Sequence, residues 1–208
     1  MKKILIISDS HGGNIYHCLM DFFKNDKIHK TEKNIYFGKE EDRYSVKIMP
    51  QGGTFVQFFN ENIIIDLLLL QGRSAYNFYK YLNCLNDMHF TEYKTYLYLG
   101  YNDLLPMGEK FTEYKTAKQY IDNAKLLFNN PTIILPLKNN KVIKKYVYLE
   151  KIYYVFINNL IKYGKSKNIE VLNIYDFIEN EITEESYKED GEHLKPVEYL
   201  NLVQYMMK

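Results

Sequence analysis

Five short runs of consecutive apolar residues restrict this chain more than any other feature. They lie at Lys3–Ser8, Ile63–Leu70, Tyr96–Leu99, Thr132–Leu135 and Glu170–Ile174. A strand that is apolar at successive positions is covered on both faces, the condition of strands inside a parallel sheet flanked by helices. The segments between the runs have the matching helical period. Asn14–Lys24 places Ile15, Cys18, Leu19, Phe22 and Phe23 on one face, and Ala117–Phe128 is periodic until Asn129, Asn130 and Pro131 stop it. Val147–Tyr163 turns Leu149, Ile152, Tyr153, Phe156 and Leu160 inward, with Gly164 expected as its C′ residue. Ser74 is placed to cap a helix carrying Tyr76, Phe78, Tyr79 and Leu82, and Pro196 to open a last helix at its first turn. Strand and helix in alternation predict an α/β fold built on a mostly parallel sheet. Residues 31–60, where Tyr, Phe and Val alternate with charges around Gly52 and Gly53, break the alternation and read as a hairpin or irregular insertion.

With 208 residues, 46% of them hydrophobic, and no linker or repeat, a single domain spanning 1–208 is expected. The 27 basic and 26 acidic side chains leave a net charge of +1, so no nucleic-acid partner is indicated. The apolar run Ile4–Ile7 is too short for a secretory signal, and Asp66 interrupts the longest apolar stretch. The expectation is a soluble, cytoplasmic protein with no membrane partner. Cys18 and Cys84 fall in helical patterns without metal-type spacing and read as buried thiols, and no metal site is expected.

Chemistry-bearing residues follow the strands. Ser10 comes after the first apolar run, Gly72 after the second and Asn102 after the third, while His193 lies in the last loop before the terminal helix. Loops beyond the carboxyl ends of parallel strands share one edge of the sheet, so these four have a reason to converge. A serine hydroxyl becomes a useful nucleophile when an imidazole removes its proton during attack. His193 can be that base, and Asp190, three residues earlier, can reach Nδ1 and fix its tautomer. The Ser10 and Gly72 N–H groups and the Asn102 amide could together bind an oxyanion. Gly52 or Gly53, in PQGGT, is the alternative glycine donor; LLLLQGRSAYNF favours Gly72, since it reads as strand, tight turn and helix. His17, His29 and His89 lack such partners and read as structural.

The blocks SDSHG, the glycine at 72, GYND and DGEHL resemble, across the whole chain, the four signature blocks of the SGNH, or GDSL-like, hydrolases. The resemblance implies a flavodoxin-like three-layer α/β/α sandwich, no cofactor, and hydrolysis of an acyl group, acetyl among them, from a carbohydrate or other small ester. Two departures stand out. Ser8 occupies the usual place of the first-block glycine, and the stretch between Ser10 and Gly72 is enlarged.

Three other readings start from the same residues. Ser8-Asp9-Ser10-His11-Gly12 also resembles the opening motif of calcineurin-like metallophosphoesterases, but only His89 and His193 remain after His29 to complete a two-metal centre. A non-catalytic glycan-binding module of the same fold is compatible with 21 Tyr and 12 Phe, and acyl transfer to a sugar instead of to water is a separate alternative. Six glutamates between Glu179 and Glu192 form either a solvated loop or an acidic entrance that would repel anionic esters.

Overall fold

Ile4, Leu5, Ile6 and Ile7 are all completely buried, so the first apolar run is covered on both sides as its composition requires. The structure is a computed structural model. It describes all residues except 25–27, 42–47, 71–74, 86–88, 102–112, 139–147, 179–181 and 190–192, and the backbone alone at 36–41, 48–52, 76–77, 83–85 and 113–115.

Seven strands form one sheet: β1 (Lys2–Ser8), β2 (His29–Glu41), β3 (Ile48–Phe59), β4 (Ile63–Leu69), β5 (Lys94–Tyr98), β6 (Thr132–Ile134) and β7 (Glu170–Leu172). Their order is β2-β3-β4-β1-β5-β6-β7. The five strands from β4 to β7 are parallel throughout, and within that block the spatial order is second, first, third, fourth, fifth, the flavodoxin-like arrangement. The chain moves outward from β1 on one side to β4 and on the other to β5, so the topological switch point lies beside β1.

Helices cover both faces. Leu5, Ile7, Leu68, Leu97 and Ile133 pack under the 3₁₀ helix Ala75–Leu85, α2 (Glu113–Leu127) and α3 (Tyr148–Ser166). Ile4, Ile6, Leu67, Tyr96 and Tyr98 pack under α1 (Gly12–Phe22) and α4 (Leu200–Met207). The result is a three-layer α/β/α sandwich. Among the described residues no helix is long and apolar enough to cross a membrane.

The insertion at 31–60 pairs as a hairpin, with β2 and β3 antiparallel from His29↔Phe59 to Glu41↔Ile48 and one shift of register between Tyr36 and Gly38. Only Thr54–Phe59 of β3 pair with β4, so the rest of the hairpin runs past the carboxyl end of that strand. Two helical expectations need correction. The segment after Gly72 is a 3₁₀ helix, and Ser74 lies outside the described residues. Gly164 is not the C′ residue of α3 but lies inside the helix. An added Cβ there would come within 2.6 Å of Val171 Cγ2, so its purpose is the close approach of α3 to β7. The residue that terminates helix α3 lies two positions beyond Ser166. Asn168 takes the left-handed conformation (φ 56°), the Ile169 N–H donates to the Gly164 carbonyl at 2.9 Å, and the Asn168 N–H donates to that of Lys165 at 3.2 Å. That is a Schellman ending with asparagine in the role usually given to glycine.

Candidate active site

The carboxyl end of β1 is pinned from both sides. The Leu70 N–H donates to the Ser8 carbonyl at 2.6 Å, and the Asp9 N–H donates to the Tyr98 carbonyl at 3.3 Å. Ser8, at the position usual for glycine, buries its side chain and satisfies its hydroxyl by donating to the same Tyr98 carbonyl at 2.9 Å. The chain then turns directly into α1. The Asp9 carboxylate accepts the His11 N–H at 3.0 Å, and the Gly12, Gly13 and Asn14 N–H groups donate to the carbonyls of Asp9, Ser10 and His11. A Cβ on Gly12 would fall 2.5 Å from Ser8 Cβ and 2.6 Å from Leu69 Cδ2. Only glycine lets the first turn of α1 sit this close to the strands, and that approach holds Ser10 at the sheet edge.

His193 arrives from the other end of the chain. Tyr187 and Leu194 form an antiparallel bridge, flanked by Lys188 N–H to His193 O at 2.7 Å and Lys195 N–H to Ser186 O at 2.8 Å. Leu194 is fully buried in the core beneath α1 and α4. The bridge and this anchor close a loop from which the half-buried His193 points inward. Its Nε2 lies 3.0 Å from Ser10 Oγ, the distance of a nucleophile–base hydrogen bond. The loop is further tied to α1 because the Cys18 thiol donates to the Pro196 carbonyl. Burial first, then the nearby Asp21 carboxylate, push that thiol up to about 11, so it stays a protonated donor at neutral pH. Cys18 is thus the buried thiol expected from the sequence.

His11 is a residue of this site that the sequence reading left in the rival phosphoesterase motif. It is buried, with its ring centroid 4.5 Å from that of His193 and 4.2 Å from that of Tyr101. Tyr101 follows Gly100, whose φ of +117° permits the chain to bend sharply after β5. Position alone was the available signal: His11 adjoins Ser10, and Tyr101 adjoins Asn102. The other candidates divide in two. Gly72, Asn102 and Asp190 lie outside the described residues. Gly52 and Gly53 lie inside β3, opposite Tyr36 and Ile35, and not in a turn after a parallel strand.

Asp9, the first aspartate of the alternative metal motif, is turned back on its own loop by the His11 N–H. Among the described residues no three His, Cys, Asp or Glu side chains are grouped so as to hold a metal ion. Of the acidic run, Glu184, Glu185 and Glu189 are exposed, while Glu179, Glu181 and Glu192 lie outside the described residues.

No protein-family model matches the sequence, and no curated protein does so. Solved structures do match over essentially the full length. The psychrotrophic esterase EstA from Pseudoalteromonas sp., in a form inhibited by monoethylphosphonate, is similar with TM-score 0.59 and 12% identity, covering 100% of this chain and 94% of that one. A member of the lipolytic G-D-S-L family from Veillonella parvula DSM 2008 gives TM-score 0.59 and 14% identity over 99% and 96%. The acetyl xylan esterase AlAXEase gives TM-score 0.63 and 12% identity over 99% and 98%. Taken with the strand order and the three layers, these similarities show that the chain has the fold of the GDSL-like, or SGNH, hydrolases.

Proposed function

We propose that the protein is a serine ester hydrolase that removes an acyl group from a carbohydrate or other small ester without a cofactor. The observation that carries this reading is the 3.0 Å separation of Ser10 Oγ and His193 Nε2 at the carboxyl edge of the sheet, beside the topological switch point. In this reading Ser10 Oγ attacks the acyl carbonyl while His193 Nε2 takes its proton. The Ser10 and Gly72 N–H groups and the Asn102 amide receive the oxyanion. His193 returns the proton to the departing alcohol, and then activates the water that releases the acid. Asp190 holds His193 from Nδ1. In sequence Asp190 lies three residues before His193, between the bridged Tyr187 and Leu194, and that spacing supports the pairing. An acetyl xylan esterase among the structures of the same fold supports an acetylated sugar as one substrate to try.

The test is turnover of nitrophenyl esters of increasing acyl length, then of acetylated sugars, beside labelling by a fluorophosphonate. Ser10→Ala is expected to lower turnover by roughly 10⁴-fold or more and to abolish labelling while the thermal midpoint stays within a few degrees. A folded Ser10→Ala variant with wild-type turnover would remove Ser10 from the mechanism. Wild-type activity lost on chelation and restored by manganese would favour the phosphoesterase chemistry.

A further inference from the structure

We propose that His11 is a positioning residue for His193, its buried imidazole acting as a wall against which the rings of the base and of Tyr101 both pack. The inference rests on the serine-hydrolase reading of Ser10 and His193. A histidine base must keep its ring plane aimed at the serine through two free rotations, about χ1 and χ2, and a ring packed on its face restricts both. His11 supplies such a face. Its ring lies 4.5 Å from that of His193 at an interplanar angle of 37°, and it also meets Tyr101 edge-on at 4.2 Å and 62°. Tyr98 packs edge-on at 6.1 Å.

The wall is itself fixed. The His11 N–H is held by Asp9, its carbonyl takes the Asn14 N–H in the first turn of α1, and its side chain is almost fully buried. Tyr101 is set by the left-handed bend at Gly100. The three rings therefore join three separate segments of chain: the nucleophile turn, the loop after β5 and the C-terminal bridge loop. A rotation of His11 would be felt at both the His193 and the Tyr101 rings. The planar face is the property that matters, so a phenyl ring should replace the imidazole and a small aliphatic side chain should not.

The experiment compares His11→Ala with His11→Phe, and includes His11→Leu as a volume-filling variant should His11→Ala fail to fold. His11→Ala is expected to lower kcat by about 10- to 100-fold with KM within about two-fold, and to slow fluorophosphonate labelling of Ser10 in parallel; His11→Phe should recover kcat to within about three-fold of wild type. The imidazole proton resonances of His193 provide a readout independent of turnover. They should carry a ring-current shift in wild type and His11→Phe that is lost in His11→Ala and His11→Leu. Wild-type kcat in a folded His11→Ala, or a His11→Phe variant as impaired as His11→Ala, overturns the proposal. If wild type neither turns over esters nor labels, the hydrolase reading has failed. The His193 resonances then decide the placement alone, and shifts unchanged by His11→Ala overturn it.

Discussion

At the scale of single residues, the site depends on side chains and backbone groups whose surroundings permit only one choice. Gly12 is excluded from carrying a Cβ by Ser8 and Leu69, and Gly100 by its φ of +117°; both are turns beside a residue of the candidate site, Ser10 in one case and Tyr101 in the other. Ser8 shows the opposite freedom. Where a glycine is usual, the hydroxyl found an acceptor in the Tyr98 carbonyl, which removes the cost of burying it. The role proposed for Asn102 gives a kinetic expectation. Asn102→Ala should cost on the order of 10²-fold or more in kcat with a smaller change in KM, because an oxyanion donor acts when charge has built on oxygen. Steady-state kinetics on a nitrophenyl ester checks this, and an effect confined to KM would count against the role.

Among elements, two junctions convert sequence into site geometry. The first is the approach of α3 to β7 over Gly164. Gly164→Ala would drive a methyl to within 2.6 Å of Val171 Cγ2, and valine, branched at Cβ, has little freedom to yield. The expected loss is about 1–3 kcal/mol, read from urea unfolding, with kcat for the surviving folded protein close to wild type because the contact is remote from Ser10. The second junction is the bridge loop anchored by Leu194. Leu194→Ala leaves a hole beneath α1 and α4 and should cost about 2–5 kcal/mol. Here kcat should fall as well, since the anchor is the residue next to His193. Equal effects of the two variants on kcat would show that the anchor has no special part in holding the base.

For the molecule as a whole, the sheet carries, among its described side chains, one buried carboxyl group that works against it. Asp66 of β4 lies on the same side as Leu68, buried, and accepts a hydrogen bond from Gln57 Nε2 at 2.7 Å. Burial raises its carboxyl above the ordinary range, opposed by hydrogen bonds from Gln57 and Tyr93 and by the charge of Lys3. The sign follows from linkage. With the folded value above the unfolded one, the unfolded chain ionises first as pH rises. Asp66 therefore imposes a penalty absent at low pH, beginning near the unfolded value of about 4 and complete above the raised folded value. Asp66→Asn retains the acceptor for Gln57 and should become more stable relative to wild type as pH rises through that window. Chemical unfolding of both proteins from pH 3.5 to 8 measures it; a difference independent of pH would mean that Asp66 does not titrate across folding.

The seven-stranded sandwich was legible in outline because doubly covered strands must be apolar at every position, and Ile4–Ile7, Ile63–Leu69 and Tyr96–Leu99 are nearly so whatever packs on them. Ser10 and His193 were legible because strand ends in a parallel sheet share an edge, so residues 183 positions apart have a reason to meet. Local patterns failed where the deciding contact is distant. Gly164 resembled a helix terminus until β7 was seen against it, and Asn168 ends α3 through hydrogen bonds whose partners no propensity singles out. Gly52 and Gly53 looked like a break and are continuous strand, since pairing across β2 and β3 compensates a low strand preference. His11 carried no periodicity or spacing to mark it. Its place against His193 exists only because α1 and the C-terminal loop dock on the same face of the sheet, a tertiary event that brings two rings together from opposite ends of the chain.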